Sequence, residues 1–184
     1  MIEMGKNKLR ICSGKWRGRK LEFPIIEGLR PTADKIRETL FNWLQVDIHG
    51  ATCLDLFAGS GALGLEAASR GAGEVVLIDS SRIACNFLKK NKDLLQANNI
   101  NIVNNNAVKW LQSCDNKFDI IFADPPFASG LLQQILNSNL PLKDDGLLYI
   151  EHDSKKSPQI PACFKQEKSK KSGGVIYSLY RLQN

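Results

Sequence analysis

Two short segments of this chain carry residue types at spacings that can do chemistry. The first is Leu54-Asp55-Leu56-Phe57-Ala58-Gly59-Ser60-Gly61-Ala62-Leu63-Gly64, which opens inside an apolar run over residues 52–57. The second is Asp124-Pro125-Pro126-Phe127, directly after an apolar run over residues 118–123. Runs of this length and composition predict buried parallel strands, and open α/β sheets bind ligands beyond the carboxyl ends of such strands. The second segment would carry the reaction. An exocyclic amine on a purine is a poor nucleophile, because its lone pair is delocalised into the ring. The Asp124 carboxylate and the Pro125 carbonyl can accept its two hydrogens and turn the lone pair toward an electrophile. The proline rings fix φ and lower the entropy lost on binding. Phe127 can stack on the base, worth about 1–3 kcal/mol. Pro-Pro after a strand can also simply end it. Its place after the fourth predicted strand, downstream of a glycine loop, favours methylation of an exocyclic amino group on a nucleobase.

The glycine segment is ambiguous alone. Gly59-x-Gly61-x-x-Gly64, with Asp79 downstream, matches the dinucleotide fingerprint, and a bare strand-to-helix turn also favours glycine. Two details point to S-adenosylmethionine (SAM). Asp55 stands inside the strand, where a dinucleotide fold keeps apolar residues, and its carboxylate can reach a methionine amino group directly or through water. No phosphate has to be bound, so the glycines serve close backbone approach rather than anion capture. Asp55, Phe57, Gly59 and Gly61 are therefore the cofactor candidates of this loop. A NAD-dependent oxidoreductase is the rival from another class, but no catalytic His, Tyr-Lys pair or substrate domain is visible. A non-catalytic RNA-binding module is a more distant alternative.

Elements that would position these residues follow from periodicity. Residues 8–23 predict a hairpin with Gly14 and Gly18 near its turn. Thr32 is the predicted N-cap of a helix with Ile36, Leu40, Trp43 and Leu44 on one core-facing stripe, leaving Arg30 and Arg37 to face the site. Strands are predicted at 52–57, 74–79, 100–104, 118–123 and 146–151, with helices near 61–70, 81–98, 107–113 and 130–138. Residues 175–182 alternate as a strand should, while 154–173 read as a solvated loop and turn. Strict β/α alternation implies a parallel sheet with right-handed crossovers. No internal repeat is visible.

Composition sets bounds. A chain of 184 residues can bury roughly 70% of its unfolded surface, enough for one domain with a full core. Five scattered cysteines without a CxxC pair, and two histidines, predict no metal site and suit a reducing compartment. No signal-like segment and no run of about 20 apolar residues is present, so a soluble, cytoplasmic protein without membrane contact is expected. Charge is uneven: residues 1–30 hold eight Lys/Arg against three Glu, 31–153 ten basic against fifteen acidic, and 154–184 seven basic against one acidic. Basic tails can merely keep a protein soluble. Alternatively, both ends flank the catalytic face and grip phosphate, while the acidic middle holds a sulfonium. Lys15, Arg17, Arg19 and Lys20 around Trp16 are the RNA-contact candidates. Lys168, Lys170 and Lys171 are solvated or contact phosphate, and His152 reads as surface.

The chain resembles the class I SAM-dependent methyltransferases, and more closely the RsmD family of bacterial 16S ribosomal RNA guanine-N2 methyltransferases. The match is carried by Arg30-Pro31-Thr32-Ala33-Asp34-Lys35-Ile36-Arg37-Glu38-Thr39-Leu40-Phe41-Asn42, by the glycine loop running into Leu65-Glu66-Ala67, by Asp124-Pro125-Pro126-Phe127, and by the basic opening from Ile11 to Leu21. It implies an α/β, Rossmann-like, seven-stranded sheet, mostly parallel with an antiparallel last strand, preceded by a small β-hairpin extension over residues 1–30. Residues 31–184 would be the methyltransferase domain. The resemblance implies that Asp79 binds the ribose hydroxyls of SAM, and that Asn106 and Ala107 lie where related enzymes bind adenine, although many carry Asp there. The expected substrate is an unpaired guanine of 16S ribosomal RNA in an assembling or assembled small subunit, and the expected state is a monomer. Asp-Pro-Pro-Phe is shared with adenine-N6 enzymes on DNA or RNA, so the motif specifies an amino group and not the base.

Overall fold

The structure, a computed structural model, describes residues 6–26 and 31–183. Thr52–Asp55 (β3) lies at the centre of a seven-stranded sheet because both of its faces are covered. Cys53 packs into one core layer and Leu54 into the other, each fully buried. Glu74–Asp79 (β4) and Ile100–Asn104 (β5) flank it on one side. Phe118–Ala123 (β6), Leu142–Asp153 (β7), Phe164–Ser172 (β8) and Val175–Leu182 (β9) complete the order β5-β4-β3-β6-β7-β9-β8. The first five of that order pair in parallel, and β9 runs antiparallel to both β7 and β8. The mostly parallel sheet with its reversed last strand is therefore present. The chain moves outward from β3 to β5 and then returns to β6, so the order reverses between β3 and β6. That reversal opens a crevice at their carboxyl ends.

Helices cover both faces. Asp34–Trp43 (α1), Gly64–Ser69 (α2) and Arg82–Leu95 (α3) contribute Phe41, Leu65 and Leu88 to one apolar layer, and Ala107–Leu111 (α4) and Leu131–Leu136 (α5) serve the other. The Ser81 hydroxyl caps α3, accepting from the Ala84 N–H at 3.2 Å. Helix α2 begins at Gly64 rather than near residue 61, because Gly59 (φ 50°) and Gly61 (φ 83°) hold the preceding turn in left-handed backbone. The stretch 154–173 is not all loop. It contains β8, an edge strand exposed along most of its length, so its sequence shows neither an apolar run nor alternation.

Lys6–Arg10 (β1) and Lys20–Pro24 (β2) pair antiparallel as a separate ribbon, with the predicted turn between them. The ribbon is fastened by a buried carboxylate. Glu66 of α2 accepts from the Cys12 and Ser13 N–H groups at 2.8 and 3.0 Å and from Arg70 Nε at 2.7 Å. Arg37 is also fully buried. It bonds the Arg10 carbonyl at 2.9 Å and Asp34, and lies 3.6 Å from Glu66. Arg37 therefore does not face RNA. A charge taken out of water must be compensated internally, and this one ties α1 to the ribbon. Trp16 is a second correction: its ring is buried in the core layer of α1 and α2, 7% exposed, and cannot offer a face to a base. Thr32 is a third. The N-cap of α1 is Ala33, whose carbonyl receives Ile36 and Arg37, while the Thr32 hydroxyl turns to the site described next.

Candidate active site

The glycine loop closes over the carboxyl end of β3 with carboxylates as its braces. Asp55, 1% exposed, accepts from the Phe57 N–H at 3.3 Å and from the Gly64 N–H at 3.1 Å. A side chain at Gly64 would meet Leu77 at 2.0 Å, and one at Gly61 would meet Leu65 and Leu88 at 2.5 and 2.7 Å, so the close approach of loop, strand and helix requires glycine. Burial pushes the Asp55 carboxyl up to about 7, with the Asp79 charge adding to the rise and the two N–H donors opposing it. Asp79, half-buried at the end of β4, receives the Gly59 and Ser81 N–H groups at 2.7 Å each. Each of its oxygens keeps a free lone pair for a ligand hydroxyl. Phe57 packs partly buried against the second core layer.

Across the crevice, β6 delivers Asp124. Pro125 is buried, and Phe127, 41% exposed, begins a short 3₁₀ turn closed by the Ser129 N–H on the Pro126 carbonyl. An aromatic face is thus held at the surface beside a half-buried carboxylate. The Thr32 hydroxyl donates to Asp124 Oδ2 at 3.3 Å. On the neighbouring strand, one register step beyond the Ala123–Ile150 pair, stands Glu151, 4% exposed. The Tyr149 hydroxyl donates to Glu151 Oε1 at 2.8 Å. Burial, then the Glu151 and Asp55 charges, holds Asp124 well above the ordinary carboxylate range, against the Thr32 hydroxyl. Burial raises Glu151 too, opposed by the Tyr149 and Thr32 hydroxyls. Displaced carboxyls gathered in a crevice make it the candidate functional site of the fold.

The remaining candidates lie at different distances from this centre. Asn106 caps α4, its side chain accepting from the Lys109 N–H at 3.1 Å, and Ala107 is the buried first residue of that helix. Lys15, Arg17, Arg19 and Lys20 are exposed. However, the Lys15 N–H bonds the Ser69 carbonyl at 2.7 Å, at the end of α2 remote from the glycine loop. A six-residue helix separates the two by about 9 Å. The β8–β9 turn carries Lys170 and Lys171 to the carboxyl edge, where the Ser154 N–H bonds the Gly174 carbonyl at 2.8 Å. Arg30 lies outside the described residues.

The family model described as conserved hypothetical protein 95 matches residues 9–181. Ribosomal RNA small subunit methyltransferase D of Escherichia coli is 46% identical over 181 residues, covering 96% of this chain and 91% of that one. The chain belongs to the RsmD family. Its Haemophilus influenzae relative of the same name is 42% identical, covering 96% of this chain and 95% of that one. The solved structure of yhhF from Escherichia coli superposes with a TM-score of 0.89 at 42% identity, over 97% of this chain and 99% of that one. A T. thermophilus 16S rRNA N2 methyltransferase, RsmC, solved with AdoMet and guanosine, superposes with a TM-score of 0.71 at 21% identity, over 97% of this chain and 50% of that one. The fold of this RsmD-family chain is that of the class I SAM-dependent methyltransferases.

Sequence reasoning missed Thr32 and Glu151 as members of this site. In the sequence Thr32 has the composition of a helix cap, and only the fold brings it 3.3 Å from Asp124, 92 positions away. Glu151 did leave a signal. It is a charged residue closing the apolar run Leu147-Leu148-Tyr149-Ile150, as Asp55 closes its own strand.

Proposed function

We propose that this chain transfers a methyl group from SAM to the exocyclic N2 of a guanine in 16S ribosomal RNA of the small subunit. The observation that carries the reading is the placement of a half-buried Asp124 and an exposed Phe127 at the end of β6, across the strand-order reversal from the glycine loop. The residues present fit the cofactor. Gly61 and Gly64 let the loop backbone lie against Leu65, Leu88 and Leu77 over the end of β3, and Asp79, bonded to the Gly59 N–H of that loop, keeps lone pairs free for ribose hydroxyls. Asp55 places negative charge behind the loop for a methionine ammonium, and Asn106 and Ala107 border the adenine end. SAM, when bound, supplies a methyl group already activated on a sulfonium leaving group.

The chain's own task is then positioning, which accounts for much of such a rate enhancement. Phe127 stacks on the flipped or unpaired base. Asp124 and the Pro125 carbonyl accept the two amine hydrogens and aim the nitrogen lone pair across the crevice. As the nitrogen is alkylated its proton becomes acidic, and Asp124 accepts it. Guanine is favoured over adenine by family membership, since the same motif serves both, and RsmC, an N2 enzyme, shares the fold. Lys15, Arg17, Arg19 and Lys20 would hold more distant phosphates of a large substrate. The experiment is nucleoside mass analysis of 16S RNA from a deletion strain. One N2-methylguanosine should disappear, return with the wild-type gene, and not return with Asp124→Ala. Loss of an N6-methyladenosine instead would replace the guanine assignment.

A further inference from the structure

Asp124 is not alone at the end of β6, and its neighbour has no role in the scheme above. Glu151 occupies the adjacent register position on β7 and is 4% exposed. Its carboxylate receives the Tyr149 hydroxyl at 2.8 Å, and the Thr32 hydroxyl, 3.3 Å from Asp124 Oδ2, faces Glu151 as well. Nothing about packing requires an acid here. β7 could close with an apolar residue, as the rest of its buried run does, and avoid the cost of a buried charge. The titratable groups that face the pair are Asp55 from β3, Tyr149 from β7 and Tyr177 from β9, all anionic or neutral. From α1 this face meets Phe41, whose ring lies 6.0 Å from that of Phe122. Two carboxyls on adjacent strands, one register step beyond a paired position and with none of these groups cationic, do not ionise independently of each other.

We propose that Glu151 is a positioning residue of the methyl-transfer site, acting beside Asp124 and through the shared Thr32 hydroxyl to make Asp124 an effective proton acceptor for the target amine. The inference rests on the assignment of Asp124 given above. Methyl transfer leaves the target nitrogen cationic. One N–H bond then breaks, its electron pair stays on nitrogen, and the proton forms an O–H bond on Asp124. A lone exposed aspartate is a weak base for that step. The negative charge of Glu151, held by the Tyr149 hydroxyl, raises the basicity of Asp124 toward the working pH, where a general base is most effective.

The test compares wild type, Glu151→Gln and Tyr149→Phe by two readouts. The first is the pH profile of kcat/KM for methyl transfer to small subunits from a deletion strain. The second is the carbon-13 NMR titration of the Asp124 carboxyl in the protein alone, which needs no substrate. Glu151→Gln should lower the acid limb and the Asp124 titration midpoint together by roughly one pH unit or more, with SAM affinity unchanged. Tyr149→Phe should move both in the same direction by less, because Glu151 without its donor keeps its proton longer. A uniform loss of activity with neither limb nor midpoint moved would make Glu151 a packing residue and overturn the proposal. A shifted midpoint in a protein whose wild type methylates no small-subunit RNA would uphold the coupling and overturn the substrate reading instead.

Discussion

Asp55 offers the sharpest quantitative test of whether the glycine loop meets a cation. Its carboxyl is buried and pushed from the ordinary 3.8 to about 7. If the methionine ammonium of SAM lies within reach, directly or across one water, binding favours the carboxylate and restores it toward the ordinary value. Below pH 7 each binding event must then expel a proton, at about 1.36 kcal/mol per pH unit. SAM affinity should be flat above about pH 8 and fall to about one hundredth of that plateau at pH 5, a loss of about 2.7 kcal/mol. Titration calorimetry in buffers of different ionisation enthalpy measures both the affinity and the proton released. Asp55→Asn keeps one acceptor for the Phe57 N–H but loses the charge, so its affinity should show little of this slope whatever its absolute value. The same shift predicts stability in the opposite sense. The fold prefers protonated Asp55, so its contribution is complete below about pH 4 and is lost as pH rises through about 7 in the free protein. A wild-type affinity that does not change between pH 5 and 7 would refute the contact between Asp55 and the cofactor.

The other predictions are shorter. Asp79→Ala should weaken SAM binding by about 1–3 kcal/mol through lost charge-assisted hydrogen bonds, read by the same calorimetry. Phe127→Ala should cripple turnover on small-subunit RNA and leave SAM affinity nearly intact if the ring, 41% exposed, stacks on the base as proposed and does not touch the cofactor. Arg37→Met, which removes the buried guanidinium and its bonds to the Arg10 carbonyl and Asp34 while Arg70 still pairs with Glu66, should cost about 1–3 kcal/mol in denaturant unfolding, with the ribbon over residues 6–24 losing hydrogen-exchange protection first. Neutralising Lys15, Arg17, Arg19 and Lys20 together should flatten the plot of log RNA affinity against log salt by about 0.7 to 0.9 per lost phosphate contact. An unaltered slope would leave those four charges a solubilising role only.

What was legible in the sequence was whatever burial on two sides imposes. The runs that became β3, β4 and β6 are apolar because both faces of a central parallel strand are covered, and the motifs after β3 and β6 fall where the order reverses. What was illegible depends on partners remote in sequence. Arg37 reads as a free cation on a helix until Glu66 is brought beside it, and Trp16 reads as an aromatic in a basic loop until that loop docks on α2. β8 carries no apolar pattern because this strand is exposed along most of its length, so neither of its faces is selected for burial. Thr32 has the composition of a cap, and a hydroxyl that can bond backbone or carboxylate declares its choice only in three dimensions.

The acids of this fold fall into two groups by how their charge is compensated. Asp119 is also partly buried, yet Lys143 at 2.8 Å and the Thr52 donors outweigh burial and hold it below the ordinary carboxylate range. Glu66 has Arg70 and Arg37 beside it. Those acids are compensated within the fold, and their work is structural. Asp55, Asp124 and Glu151 converge on the carboxyl ends of three adjacent strands, and no described cation offsets their raised values. A fold selected only for stability would fill these positions with apolar residues or supply a cation. Keeping three uncompensated carboxyls in one crevice is costly unless a ligand brings the missing positive charge. A sulfonium with an ammonium on one side, and an amine that becomes cationic on the other, would bring it from both directions.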